Sequence, residues 1–204
     1  MAFVRCLLWG RPTAGGREVQ SQTRLILQRQ ANDLNSMLTS IRGYYSSNVV
    51  ARVLDHGGAN IKVIHNYEVT PGAIPIPATL SLELGGIIAD KQSAVAYRFV
   101  SDYPFSTRAP HVLDEFERSS LASLRMAPDT FPLVESTSAG LHSQVRMITP
   151  VIMGAACANC HNSHPESTKR DWKVGDVRGI QEVIVNQPIA FSLGSFKFSM
   201  LYFL

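Results

Sequence analysis

The chain has 204 residues and a mass of 22.4 kDa, with 45% hydrophobic and 17% charged residues, which suits one domain with a real core and excludes wholesale disorder. Nineteen Lys and Arg against sixteen Asp and Glu leave a net charge of +3, too balanced for a protein that coats nucleic acid, and no nucleic-acid partner is expected. Three cysteines are too few for a disulfide-stapled scaffold.

In chain order, residues 1–20 read as a loose tail. The apolar run Cys6-Leu7-Leu8-Trp9 is too short for a signal-peptide core and is flanked by Arg5 and Arg11. The domain proper spans residues 21–188. From Ser21 to Leu54 the period is helical, with Leu27, Ala31, Leu34, Leu38, Ile41 and Tyr45 three and four apart. That seam suits packing on a sheet or, in a homodimer, on a second copy of itself; the sparse charges beside it favour the sheet. His56-Gly57-Gly58 closes the helix. Pro71, Pro75 and Pro77 then forbid regular structure through residue 80, and the apolar Ala73, Ile74 and Ile76 suit a loop that wraps a hydrophobic object. Thr79–Ile88 can form a short helix capped by Thr79 or Ser81.

Val95, Tyr97 and Phe99 alternate with Ala96, Arg98 and Val100 as in a half-buried strand. Pro110 opens a helix to about Met126, with Asp114, Glu115 and Glu117 as its solvated, dipole-favoured start. Val145–Met153 and Val177–Val185 read as strands, with Gly175 and Gly179 at turns or close approaches. The sum is an α+β chain with an antiparallel sheet. At the end, Phe191–Leu204 is apolar with a single Lys197, shorter than the ~20 residues of a membrane span. Residues 189–204 therefore read as the start of a truncated transmembrane helix; a buried terminal helix or strand is the alternative.

The chemistry concentrates in Cys157-Ala158-Asn159-Cys160-His161, a C-x-x-C-H spacing that reads as c-type haem attachment. Two thiols so spaced can each form a thioether to a porphyrin vinyl group, and the adjacent His161 is then placed as an axial imidazole on the iron. Two alternatives compete. A zinc site on Cys157, Cys160 and His164 lacks a fourth ligand, since Cys6 is far away. A thiol–disulfide pair normally sits between a strand and a helix N-terminus, and the following Asn162-Ser163-His164-Pro165 reads as loop. Arg146 before the motif and Arg178 after it are candidate partners for the haem carboxylates, along with Lys169, Arg170 and Lys173; Trp172 is a candidate wall. For the second axial position the candidates are Met37 and His65, ahead of His56, His142, Met147 and Met153; water or an open position also fits. His164 should stay on the His161 side.

His164-Pro165 with Asp171–Gly179 (DWKVGDVRG), Ile41–Tyr45 (IRGYY) through Val49-Val50, Pro71–Thr79 (PGAIPIPAT), Ser101–Phe105 (SDYPF) and Phe116-Glu117-Arg118 together resemble a family of c-type-haem-binding, PAS-like sensor domains. Such domains occur in bacterial receptors, often ahead of adenylate/guanylate cyclase or histidine kinase modules, and as stand-alone proteins. The likeness runs from about residue 30 to 187. It implies a PAS-like antiparallel sheet flanked by helices with a long N-terminal helix, covalent haem on Cys157 and Cys160, and iron ligation by His161. It also implies a sensory role on the periplasmic side of the inner membrane. The chain departs from that plan in having no first membrane helix and no output module. The expectation is a haem-binding input domain for redox change or a diatomic gas, anchored through its C-terminal segment and itself non-enzymatic. The competing expectation is an electron-transfer c-type cytochrome.

Overall fold

The computed structural model describes residues 13–56, 61–92, 94–129, 132–139 and 142–188. A long helix opens the domain: α1 (Thr13–Tyr44), a π-helical stretch (Tyr45–Val50) and α2 (Ala51–His56) follow without a break. The helix begins inside the glycine-bearing stretch that the sequence marks as loose, because extending an existing helix is easier than nucleating one. Leu27, Ala31 and Leu38 are buried as the period requires, whereas Ile41 is 38% exposed. The proline-rich segment holds two short parallel strands, β1 (Val63–Ile64) and β2 (Ile74–Pro75), bridged by Ile74 N–H to Lys62 O and Ile76 N–H to Ile64 O. Pro77 at the first helical position then starts α3, which runs to Lys91 rather than stopping near Ile88.

The remaining elements are β3 (Val95–Val100), α4 (Glu115–Met126), β4 (Leu133–Ala139), β5 (His142–Ile152), α5 (Ala155–Ser163) and β6 (Val177–Pro188). The main sheet is antiparallel in the order β3-β6-β5-β4, so the last strand is central. The fold is thus α+β, with helices on both faces of the sheet. Against α1 lie Val145 and Met147 of β5 and Val183 and Val185 of β6. Against α4 lie Ile148, Ile180 and Val100, which pack with Leu121 and Leu124. At Gly179 a Cβ would come within 2.5 Å of Val100 O, and at Gly85 within 2.4 Å of the Tyr97 ring, so both glycines permit close approach. Gly175 forms the turn before β6 at φ +94°.

Helix α4 starts at Glu115, not at Pro110. Asp114 caps it by accepting from Glu117 N–H at 2.9 Å, while Glu117 Oε2 accepts from Asp114 N–H at 2.9 Å. Glu117 is also not solvated: it is fully buried and ion-paired to Arg98 Nε at 2.9 Å. Among the described residues no helix is long and apolar enough to cross a membrane. The segment expected to enter the membrane lies outside the described residues.

Candidate functional site

Strand β5 ends at Ile152, and two residues later Gly154 leads into α5, which carries the whole motif. The motif is therefore helical, and Asn162 and Ser163 belong to the helix rather than to a loop. On a helix, residues three and four apart are neighbours, so Cys157 stands beside both Cys160 and His161. Both thiols are free; Cys157 is half-buried and Cys160 exposed. Burial, then the neighbouring Cys157, pushes the Cys160 thiol up. A strand followed by the first turns of a helix is also where redox thiol pairs sit. Among the described residues no group of three or more His, Cys, Asp and Glu could hold a metal ion, so zinc would find no complete ligand set there.

His161 points inward. Burial, then Arg178 and His164, push its pKa down to about 4, so its imidazole is neutral at pH 7. Its Nδ1 is buried and has no hydrogen-bond partner. Phe105, itself buried, lies between the two motif histidines: its ring is 5.1 Å from His161 and stacks on His164 at 4.6 Å and 6°. His164 Nδ1 accepts from Glu166 N–H at 3.2 Å, which keeps that ring engaged in its own loop. Asn162 clamps the far segment to α5: its amide donates to Trp172 O at 2.9 Å and its carbonyl accepts from Trp172 N–H at 2.9 Å. Trp172 in turn packs with Met153, Ala158 and Cys157 and meets Tyr103 edge-on at 5.7 Å.

The cations divide sharply. Arg178 lies over the Trp172 ring at 5.4 Å and donates to Ser101 Oγ and to Tyr103 O, while its Nε is buried without a partner. Burial pushes its pKa down to about 10. Arg146, by contrast, is spent elsewhere, on the α4 face. It donates to Glu182 at 2.7 Å, Asp114 at 2.6 Å and Glu135 at 3.3 Å, and lies over Phe116. Lys169 pairs with Asp171 and lies 4.8 Å from the Trp172 ring, and Arg170 holds the backbone carbonyls of Pro165 and Ser167.

Of the two candidates for the second axial position, Met37 is 55% exposed on the outer side of α1, whereas the sheet-facing side carries Leu38. His65 is brought to the motif's loop, with Nδ1 4.0 Å from Glu166 Oε2. The structure thus gathers Cys157, Cys160, His161, Trp172, Arg178 and His65, and leaves Arg146 and Met37 apart. Sequence reasoning missed Phe105, Asn162 and Arg42. Arg42 follows Leu38 by one helical turn, so a cation standing on a buried apolar seam was the available signal. Its guanidinium lies over Phe99 at 5.5 Å and donates to Gln181 Oε1.

No curated protein matches the chain. A solved structure described as the crystal structure of the cyanobacterial heme-protein Tll0287 is similar at a TM-score of 0.47 and 16% identity, over 76% of this chain and 96% of that one. The family model Tll0287-like matches residues 19–186, most of the chain, and the chain belongs to the Tll0287-like family.

Proposed function

We propose that the chain is a covalent c-type haem-binding domain and serves as the sensory input of a bacterial membrane signalling receptor. The observation that carries the haem reading is the pairing of two free thiols on one helical turn with a half-buried imidazole whose Nδ1 is buried and has no partner. A buried polar nitrogen left unsatisfied is costly and calls for an unrecorded ligand or water. Cys157 and Cys160 would hold the group as thioethers and His161 as an axial ligand, with Phe105 and Trp172 supplying aromatic walls and Arg178 a cation. Membership of the Tll0287-like family, whose name is shared by a cyanobacterial heme-protein, supports the haem part of this reading. When bound, haem supplies an iron that changes oxidation state or takes a small ligand such as NO, CO or O₂.

The chain's own part is to hold that group rigidly and to carry a shift outward. Strand β6 (Val177–Pro188) carries Arg178 near its start, runs between β3 and β5 and leads toward the apolar residues 191–204. A change at the site therefore bears on the strand nearest the proposed membrane anchor, as a two-state bias. The periplasmic location and a cyclase or kinase output belong to the same proposal.

The test is export of the chain alongside haem-attachment machinery, followed by a pyridine hemochrome spectrum. A thioether-type hemochrome, lost on Cys157→Ser with Cys160→Ser, supports attachment; a colourless protein overturns it. Spectral change on NO, CO or O₂ supports sensing. A six-coordinate spectrum inert to all three gases points instead to electron transfer.

A further inference from the structure

The main sheet takes only one side of α1. Leu27, Ala31 and Leu34 pack on β5 and β6, while Leu25, Ile26 and Met37 are exposed on the other side. Leu25, Arg29, Asp33 and Met37 follow one another at four-residue spacing, so they form a single ridge along the helix. The ridge is apolar at both ends and charged in the middle. Arg29 and Asp33 are exposed and join no ion pair among the described residues. Their order disfavours pairing with each other, because a base four residues ahead of an acid is the weaker arrangement on a helix.

A groove runs beside this ridge. It is a cavity of about 320 Å³ between α1 and the edge strand β4, lined by Leu25, Arg29 and Asp33 on α1, Met147 on β5, and Pro132 and Val134. Helices pack by setting the ridge of one into the groove of the other. A ridge and a groove on the same face therefore fit a second copy of that face.

Charge selects the register. A two-fold axis crossing α1 at the level of Ala31 sets each Arg29 against the Asp33 of the other copy, and each Leu25 against the Met37. A parallel, in-register pairing would instead set Arg29 on Arg29 and Asp33 on Asp33, and like charges in contact are costly.

We propose that a second copy of this chain docks on the outer face of α1, antiparallel and two-fold related, with two Arg29–Asp33 pairs about the axis and a Leu25–Met37 contact on either side. The homodimer expected from the helix thus uses the face opposite the periodic seam, which is spent on the sheet. This inference does not rest on the haem reading: either stands if the other fails.

The experiment is sedimentation of the full chain in mild detergent over a range of protein concentrations. The natural sequence should show a reversible monomer–dimer equilibrium that weakens with added salt. Arg29→Asp alone and Asp33→Arg alone each set like charges together at both pairs, and each should weaken association at least about tenfold. Mixing the two variants restores opposite charges across the axis and should recover the dimer as a hetero-pair; both substitutions in one chain should recover it as well. Arg118→Asp, the same charge change on exposed α4, should leave association unaltered. A natural protein that stays monomeric throughout overturns the proposal. So does a dimer indifferent to both single variants, which would assign association to another surface such as the apolar residues 191–204. A loss that neither mixing nor the double substitution repairs overturns it too.

Discussion

The two faces of the main sheet use arginine in opposite ways. On the α4 face, Arg146 is enclosed by Glu182, Asp114 and Glu135, and Arg98 is paired with Glu117 beside them. Glu117 and Glu182 are both fully buried, so two arginines and four carboxylates make an ion cluster inside the fold. On the α1 face, among the described residues, no carboxylate joins the hydrogen-bonded network. Asn35, Thr39, Thr149, Gln181, Tyr97 and Arg42 form a neutral hydrogen-bonded ladder that ends in an unbalanced cation.

The largest effect should come from making the same substitution on both faces. Arg146→Met strands Glu182 in the interior and should cost about 3–5 kcal/mol in urea melts of the cofactor-free chain. Arg42→Met, in the same preparation, removes a cation that lacks a counter-charge and should change stability by no more than about 1 kcal/mol, the worth of its hydrogen bond to Gln181. Equal losses at the two sites would erase the distinction between a closed and an open charge.

An intermediate effect should come from Gln181 itself. Its amide nitrogen donates to Asn35 O at 3.3 Å and to Thr39 Oγ1 at 2.6 Å, and its oxygen accepts from Tyr97 at 3.2 Å and from Arg42. Gln181→Leu leaves these partners inside the fold without it, and should cost about 1–3 kcal/mol. A neutral result would mean that water or rearrangement satisfies the ladder as well as the amide does.

The difference between the faces also explains what was legible in the sequence. The α1 seam announces itself because burial imposes a period of 3.6 on it, and β3, β5 and β6 because apolar and β-branched residues concentrate in a sheet core. The C-x-x-C-H motif is legible because its meaning is local. Strand β4 is not: LVESTSA is an edge strand whose Val134 is 38% exposed, so burial imposes no clear alternation. Helix α5 is hidden for a related reason, since AACANCHNS buries only Ala158 and so lacks an apolar stripe. Glu117 looks like a solvated helix start because its partner Arg98 is on another element, and only the fold brings them together. Arg42 and Arg146 are indistinguishable in sequence for the same reason: their roles depend on which carboxylates lie nearby, a non-local fact.

The smallest effect, and the sharpest test of the contrast, is in pH. On the α4 face burial raises the Asp114 carboxyl, but the Glu117 N–H and then Arg146 hold it below its ordinary 3.8 overall. A carboxyl lowered in the native state lends stability above its unfolded pKa and loses it as pH falls through the native value. Glu182, raised by burial despite Arg146, works the other way, so Asp114 is isolated by difference: the acid-side fall in melting temperature should shrink in Asp114→Asn. On the α1 face burial raises the Tyr97 hydroxyl above 10, against the pull of Arg42. A phenol raised in the native state lends stability that is whole below its unfolded pKa and is lost as pH climbs through the native value. The alkaline fall should therefore shrink in Tyr97→Phe and not in Asp114→Asn. Acid thus loosens the face that holds the carboxylates, and alkali the face that holds Tyr97; both limbs answering to Asp114 alone would mean that the two faces titrate as one.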